Sequence, residues 1–240
     1  MKKIVTLLLA AATLLPLSSC RFIRVSDDFN ENMLGITGDS AGEKITASDN
    51  YITREAMVGD FHAITCNLPG DVIYTPGDCA VSIYAPDNVM ERVSVTNENG
   101  TLVIKSNLNR IRNLKKITIN ISSPVMESLN FNGAVDFNAP EGITALNFDA
   151  IVNGAGDIDI NGLKASDAEI TVNGAGDARI NGIDCDAIAV AINGAGDAKL
   201  SGKAASADLS ISGAGDIDAR QLDCTDINSK IRGMGSVKRP

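Results

Sequence analysis

Tryptophan is absent from the 240-residue chain, histidine occurs once, and aromatic residues make up only 4%. A core without large rings must be built from Ile, Val, Leu and Ala, which suit a pleated surface better than a helix-bundle interior. The single histidine, His62, lies in the strand-like "DFHAITC". A packed or half-exposed strand residue is the simpler reading than a catalytic base, and no cluster with metal-ligand spacing accompanies it. Positive charge is also in deficit. The net charge of −9 argues against nucleic acid as a partner. The one extended apolar run, Ile4 to Leu15, is too short to span a bilayer.

What is present at the N-terminus is a leader pattern. Lys2 and Lys3 precede the apolar run, and Leu17-Ser18-Ser19-Cys20 follows it. This is similar to a bacterial lipobox. Residues 1–19 are expected to be a lipoprotein signal peptide and Cys20 the lipidated residue. Loss of residues 1–19 takes the net charge to −11, so attachment to the membrane falls to the lipid rather than to the protein surface. Residues 20–50 are polar, rich in Ser, Asp, Asn and Gly, and without sustained periodicity; they are expected to be a flexible tether. Asp27-Asp28 fits a solvated linker or a surface-export signal equally well.

The rest of the chain is dominated by a repeat: NGAVDF at 132, NGAGDI at 153, NGAGDA at 173 and 193, SGAGDI at 212 and RGMGSV at 232. Six copies at a near-constant step of 20 residues indicate a solenoid. A helical repeat needs a longer period, and the Leu/Asn frame of leucine-rich repeats is missing. Between copies the chain alternates: Ile158 and Ile160 against Asp159 and Asn161, then Ala168, Ile170 and Val172 against Glu169 and Thr171. Period two is the strand signature. The fold class is therefore all-β, a parallel β-helix of about 20 residues per coil, spanning residues 131–240.

Stacking coils turns the repeat into columns. Gly154, Gly174, Gly194 and Gly213 form one, and Gly156, Gly176, Gly196 and Gly215 another. Both are expected to occupy positive-φ turns, where a Cβ costs about 1–2 kcal/mol. The even spacing suggests that an insertion would break the stack. Asn153, Asn173, Asn193 and Ser212 form a polar column able to hydrogen-bond along the axis. Asp157, Asp177, Asp197 and Asp216 bring like charges about 4.8 Å apart. Each carboxylate is expected to accept backbone N–H groups of its own turn. A calcium ladder fits less well, because Arg179 and Lys199 stand where a further acid would fall. Asp159–Arg179 and Lys199–Asp218 are expected to pair across rungs. No metal and no cofactor is assigned.

Cys185 and Cys224 fall in one column two coils apart, too far for a disulfide, and both are expected to be buried thiols. Whether Cys66 and Cys79 bridge is open on the sequence. Residues 51–130 hold strand-like runs at 60–66, 71–74, 79–85, 92–96, 101–106 and 116–122, with a hairpin signal at Asn99-Gly100. They are expected to form an irregular N-terminal β region that caps the solenoid. Lys238, Arg239 and Pro240 are expected to close its other end.

The stretches "GDFHAITCNLPGDVIYTPGD" and "LNFNGAVDF", with the Gly-Ala-Gly-Asp turns ending in "GMGSV", resemble the head GIN domain family, named for auto-transporter adhesin heads. The resemblance covers about residues 52–237. It implies a right-handed β-helix with an N-terminal β region, and many members look like lipoproteins of Gram-negative bacteria. It assigns no catalytic residues. The leading functional expectation is a non-enzymatic, lipid-anchored binding or adhesion module of the outer membrane, on its cell-surface or periplasmic side, with a protein or glycan ligand. An alternative is a periplasmic structural or signalling partner. A polysaccharide lyase or hydrolase is the weakest reading, since the outward positions are small (Ala189, Ala191) or expected to pair as charges.

Overall fold

The computed structural model describes residues 43–240. The expected signal peptide, Cys20 and residues 20–42 of the expected tether lie outside the described residues. In chain order the strands are β1 (Glu43–Thr46), β2 (Tyr51–Ala56), β3 (Ala63–Cys66), β4 (Gly70–Pro76), β5 (Ala80–Pro86), β6 (Val93–Glu98), β7 (Thr101–Ser106) and β8 (Leu108–Arg112). They continue with β9 (Thr118–Ser123), β10 (Ser128–Ala139), β11 (Ile143–Thr144), β12 (Asn147–Ala155), β13 (Ile158–Ala175), β14 (Ala178–Ala195), β15 (Ala198–Asp223) and β16 (Asp226–Lys238). One short helix, α1 (Asp87–Met90), lies between β5 and β6. The fold is a β-solenoid of about six turns.

Each regular coil has three faces. In the coil carried by β14, Ile188, Val190 and Ile192 point inward from the first face. After the Gly-Ala-Gly-Asp turn, Ala198 and Leu200 do so from the second, and the third is represented by Ile183 and Cys185. All are buried. Their neighbours in register continue each row: Ile170–Val190–Leu209, Val172–Ile192–Ile211 and Ile160–Ile180–Leu200. Burying a Val, Leu or Ile side chain contributes about 1.5–3 kcal/mol, so the stacked aliphatic rows supply the cohesion that the missing aromatics do not. The few large rings gather in the coils around β10: Tyr74, Phe131, Phe137 and Phe148 are buried there, and Phe131 and Phe137 lie with centroids 5.4 Å apart.

The N-terminal region is more than a cap. β3 and β4 lie parallel to and in register with the two halves of β10, and β7 and β9 lie parallel to β3 and β4 on the far side. Two coils of the solenoid thus belong to residues 63–123, and the one closer to β10 in space comes earlier in the chain. The true cap is antiparallel: β6 on β7 through Asn99 (φ 56°) and Gly100 (φ 83°), and β5 on β9, with β2 on β5. The left-handed pair is what an Asn-Gly hairpin requires.

The expectation of a tether running to residue 50 is corrected here. β1 pairs with β8. Ala47 donates to the Arg112 carbonyl (2.8 Å), the Ser48 N–H to Asn88 Oδ1 (3.0 Å), and the Asn50 amide to Asp87 (2.8 Å). Residues 43–50 are stitched to the cap.

Close approach governs both glycine columns, since a Cβ on Gly174 would lie 1.9 Å from the Gly154 carbonyl oxygen, and the first column adds a positive φ. Gly174 sits at φ 141°, as expected. Gly156, Gly176 and Gly196 lie outside the left-handed region, so the positive-φ explanation fails for them. The reason is proximity: a Cβ on Gly176 would lie 2.0 Å from the Gly156 carbonyl oxygen, and one on Gly196 would lie 1.9 Å from that of Gly176. The corner glycine Gly182 is the opposite case, at φ 61° with the nearest atom 3.5 Å from where a Cβ would stand.

The spacing expectation is also refined. Between the coils of β10 and β13 the register changes from 21 residues (Ala139 with Ile160) to 20 (Ile143 with Leu163) across Pro140-Glu141-Gly142. Between β14 and β15 it changes from 20 (Ile180 with Leu200) to 19 (Ile183 with Gly202). Both irregular steps are absorbed at the same corner, after the second face. Length varies there without disturbing the inward rows.

These geometries order three substitutions. Gly176→Ala should lower unfolding free energy by about 3 kcal/mol through overpacking. Gly182→Ala should cost about 1–2 kcal/mol through its left-handed backbone, and Thr171→Val should stay within about 0.5 kcal/mol. Urea titration of the three variants checks this, and a Gly176→Ala no worse than Thr171→Val would contradict the close approach of the turns.

Candidate functional site

Two surfaces of the solenoid carry chemistry: the edge formed by the Gly-Ala-Gly-Asp turns and the first face. On the turn edge the expected asparagine column is a continuous ladder. Asn132 donates to Asn67 (2.8 Å), Asn153 to Asn132 (3.1 Å), Asn173 to Asn153 (2.9 Å) and Asn193 to Asn173 (2.9 Å). Each amide nitrogen donates to the coil on the N-terminal side.

The aspartates run in the same direction, which corrects the expectation that each accepts from its own turn. Asp157 N–H donates to Asp136 Oδ1 (3.1 Å), Asp177 N–H to Asp157 (2.8 Å), Asp197 N–H to Asp177 (2.9 Å), Asp216 N–H to Asp197 (2.8 Å) and Ser236 N–H to Asp216 (2.8 Å). Every carboxylate caps the turn of the coil above it. Backbone donors offset the repulsion between stacked charges, and side-chain cations add to this. Arg179 pairs with Asp177 (3.5 Å) and Lys238 with Asp216 (3.1 Å), which together with Ser236 holds the Asp216 carboxyl below its ordinary value.

The expected cross-rung pairs are therefore corrected. Asp159, Arg179 and Lys199 stand side by side in register. Yet Arg179 turns to Asp177, two residues before it, while Asp218 binds Arg220 two residues on (2.6 Å). A neighbour two residues away on the same side of a strand, about 6.6 Å along it, is still within reach of an arginine side chain. The charge ladder sits instead on the third face, where Lys164 pairs with Asp184 and Lys203 with Asp223, both at 3.7 Å. Reading the 20-residue period through the outward positions of that face would have found it. Exposed pairs of this kind contribute at most about 1 kcal/mol each.

The first face is the broadest outward surface. Its first outward column runs Ser128, Asp149, Glu169, Ala189, Asp208, Asn228, and the next runs Asn130, Ile151, Thr171, Ala191, Ser210, Lys230. The alanines of a single coil, Ala187, Ala189 and Ala191, leave a trough between the longer side chains of the coils on either side. A shallow depression of about 430 Å³ lies around Glu169, Ala189, Asp208 and Ser210. It shares Glu169, Ala189 and Asp208 with a second depression of about 480 Å³ that reaches Glu127, Asp149 and Leu146, a residue 68% exposed. Partial burial, and next the charge of Glu169 on the adjacent rung, push the Asp149 carboxyl above its ordinary value. Such a floor presents carboxylate acceptors around a small apolar patch. Sequence reasoning noted Ala189 and Ala191 but missed the acidic column, whose signal was the same period read outward.

The remaining sequence-predicted residues fall as follows. His62 is exposed, 3.8 Å from Glu127 at the rim of the cap. Cys66 and Cys79 are free; Cys66 is buried, its thiol pushed up to about 11 by desolvation, and Cys79 Sγ accepts the Phe61 N–H at 3.5 Å. Cys185 is buried as expected. Cys224 is only half-buried, because its column ends at the last coil. Among the described residues no three His, Cys, Asp or Glu side chains gather as metal ligands would.

Two outcomes follow. Asp197→Asn keeps the acceptor oxygen and should leave thermal stability unchanged, with or without EDTA, whereas Asp197→Ala strands the Asp216 N–H and should cost about 1 kcal/mol. Asp149 carries a raised folded-state pKa, so its ionisation opposes folding at neutral pH. Asp149→Asn should raise Tm at pH 7, and the gain should vanish as pH falls below the ordinary aspartate range, where the wild-type carboxyl is protonated in both states. Melting curves across pH test the sign.

Comparison with known proteins agrees with this geometry. A family model described as "Putative auto-transporter adhesin, head GIN domain" matches residues 60–238. Among solved structures, a putative adhesin from Bacteroides fragilis NCTC 9343 is 24% identical, with a TM-score of 0.69 over 81% of this chain and 99% of that one. A putative adhesin from Parabacteroides distasonis ATCC 8503 is 17% identical (TM-score 0.59; 82% and 100% covered). A putative lipid binding protein from the same strain is 19% identical (TM-score 0.54; 82% and 100% covered). At these identities the likeness is one of fold. No curated protein matches the chain.

Proposed function

Because the chain belongs to the auto-transporter adhesin head GIN domain family, we propose that it is a non-enzymatic binding module of the cell envelope whose first face holds a protein or glycan ligand. The observation that carries this reading is the trough along the first face. It is shallow, reaches from Asp149 to Lys230, and holds Ala187, Ala189 and Ala191 of one coil between Glu169 and Asp208 of the coils on either side. A shallow surface of this kind suits many weak contacts along an extended ligand better than enclosure of one small substrate. The carboxylates accept hydrogen bonds from hydroxyl or amide groups, and the acidic surface disfavours anionic partners.

In this reading Cys20 carries the lipid and the protein is an outer membrane lipoprotein. The family points to an envelope or surface protein. Adhesion requires the outer side, and a structural or signalling partner role requires the periplasmic side.

Protease shaving of intact cells, with blotting for the mature chain, separates the two. Cleavage from outside supports adhesion, and protection until the outer membrane is opened refutes it. The site itself is tested by Ala189→Arg, which points outward and should leave stability within about 0.5 kcal/mol of wild type. It should reduce binding of surface-displayed protein to host-cell or glycan panels at least about tenfold. Undiminished binding by a folded Ala189→Arg variant would move the ligand off this face.

A further inference from the structure

Among the described residues the solenoid is closed at one end by antiparallel strands and ends at the other in the edge strand β16. No strand lies above β16 among the described residues, so its inward positions meet solvent: Ile227, Ser229 and Val237 are half-exposed and Ile231 is 43% exposed. Arg239 reaches back to the Ser229 hydroxyl and Lys238 binds Asp216, a partial lid made of two flexible side chains. The hydrogen-bonding groups of the edge are also placed. On the first face the Asp149 N–H points to Glu127 in the coil below. Asn228 continues the Asp149 column. By strand alternation, Ile227, Ser229 and Ile231 then direct their N–H and C=O groups out of the open edge.

The segment 226–232 reads Asp-Ile-Asn-Ser-Lys-Ile-Arg. It is complementary to itself when reversed. A two-fold axis midway between the two copies of Ser229, perpendicular to the sheet, sets Asp226 opposite Arg232 twice and Ile227 opposite Ile231 twice. It also sets Asn228 opposite Lys230 twice and Ser229 opposite its own copy. The same operation keeps inward residues inward, so the two exposed ends of the aliphatic core close on one another. It joins two short runs of unpaired backbone into an antiparallel ladder, the usual fate of an uncovered edge. Isologous contacts of this form are the common basis of two-fold dimers.

We infer that the C-terminal edge strand is a self-docking surface, and that its partner is a second copy of this chain bound tail to tail through residues 226–232. The Arg239 side chain swings off Ser229 to admit the partner strand. The capped ends then lie at opposite poles of the dimer, and the two first faces meet edge to edge at Asn228 and Lys230. The inference does not depend on the adhesion reading, although Asn228, Ser229 and Lys230 of this edge also line the C-terminal end of the first-face depression.

Sedimentation velocity of the full chain over a concentration series tests it. A reversible monomer–dimer equilibrium is expected. Asp226→Arg and Arg232→Asp should each weaken self-association roughly thirtyfold or more, because two cross-strand attractions become repulsions. Mixed one to one, the two variants should recover a dimer of about wild-type strength, since both cross-strand contacts then again join an arginine to an aspartate. Ser229→Cys should cross-link to a covalent dimer under mild oxidation, while the wild-type chain does not. Both charged positions are exposed, so the folded state should survive reversal, which matching circular dichroism melts would verify. A chain that stays monomeric at every concentration overturns the inference. So does a dimer indifferent to both charge reversals, or a mixture that fails to recover.

Discussion

The structure rests on how closely one backbone turn lies over the next. At the Gly-Ala-Gly-Asp turns a carbonyl oxygen of each coil stands about 2 Å from where the following coil would carry a Cβ. Only glycine allows that approach. Once the turns are in contact the remaining columns fall into register: asparagine over asparagine, aspartate over the next amide, aliphatic rows over one another. The Asp and Asn ladders depend on this contact, since a side chain as short as Asp reaches the backbone of the next coil only if the coils are this near. Glycine here contributes by what it lacks, and the stability comes from the groups its absence brings together.

Much of the fold was legible because its period is. The 20-residue step, the alternation between copies, the inward rows and the Asn column were all readable from identity and spacing, and so was the Asn99-Gly100 hairpin. The rest was hidden for physical reasons. Nothing in "NGAGD" says whether the carboxylate accepts from its own turn or from the coil above. The two options differ by a small rotation of one side chain, and the three-dimensional stack decides. Arg179 chose Asp177 over Asp159 on the same kind of margin. The coils contributed by β3, β4, β7 and β9 follow one another in space in an order that differs from the chain, so no search for a repeat could align them. Residues 43–50 read as linker because their polar side chains bind the cap, and not because they are free. The candidate trough was half visible: the alanines stood out by their smallness, whereas Asp149, Glu169 and Asp208 looked like ordinary exposed acids until register made them one column.

The charged residues share a pattern. On the turn edge and the third face, charge is engaged by a ladder or a neighbouring ion. On the first face the acids stand around small residues and Asp149 is held in a less favourable state by burial and by Glu169. A surface that gives up stability at one position while its other edges satisfy their charges is where an external ligand has most to offer. The corner after the second face complements this: it takes up changes in coil length, so residues can be gained or lost there while the first face stays regular.

Hydrogen bonds in a solenoid run along its axis, and the covalent chain runs across it. This makes the molecule mechanically anisotropic. Tension applied between the two ends of the stack opposes the coil-to-coil bonds directly. Tension applied through the termini concentrates on the outermost coil, which can peel while its neighbours hold. At each turn one Asn and one Asp hydrogen bond must part before a coil leaves, and the aliphatic rows give way one layer at a time. Under load such a rod lengthens in steps of a coil, dissipating energy at each, and rewinds on the coils that remain as template.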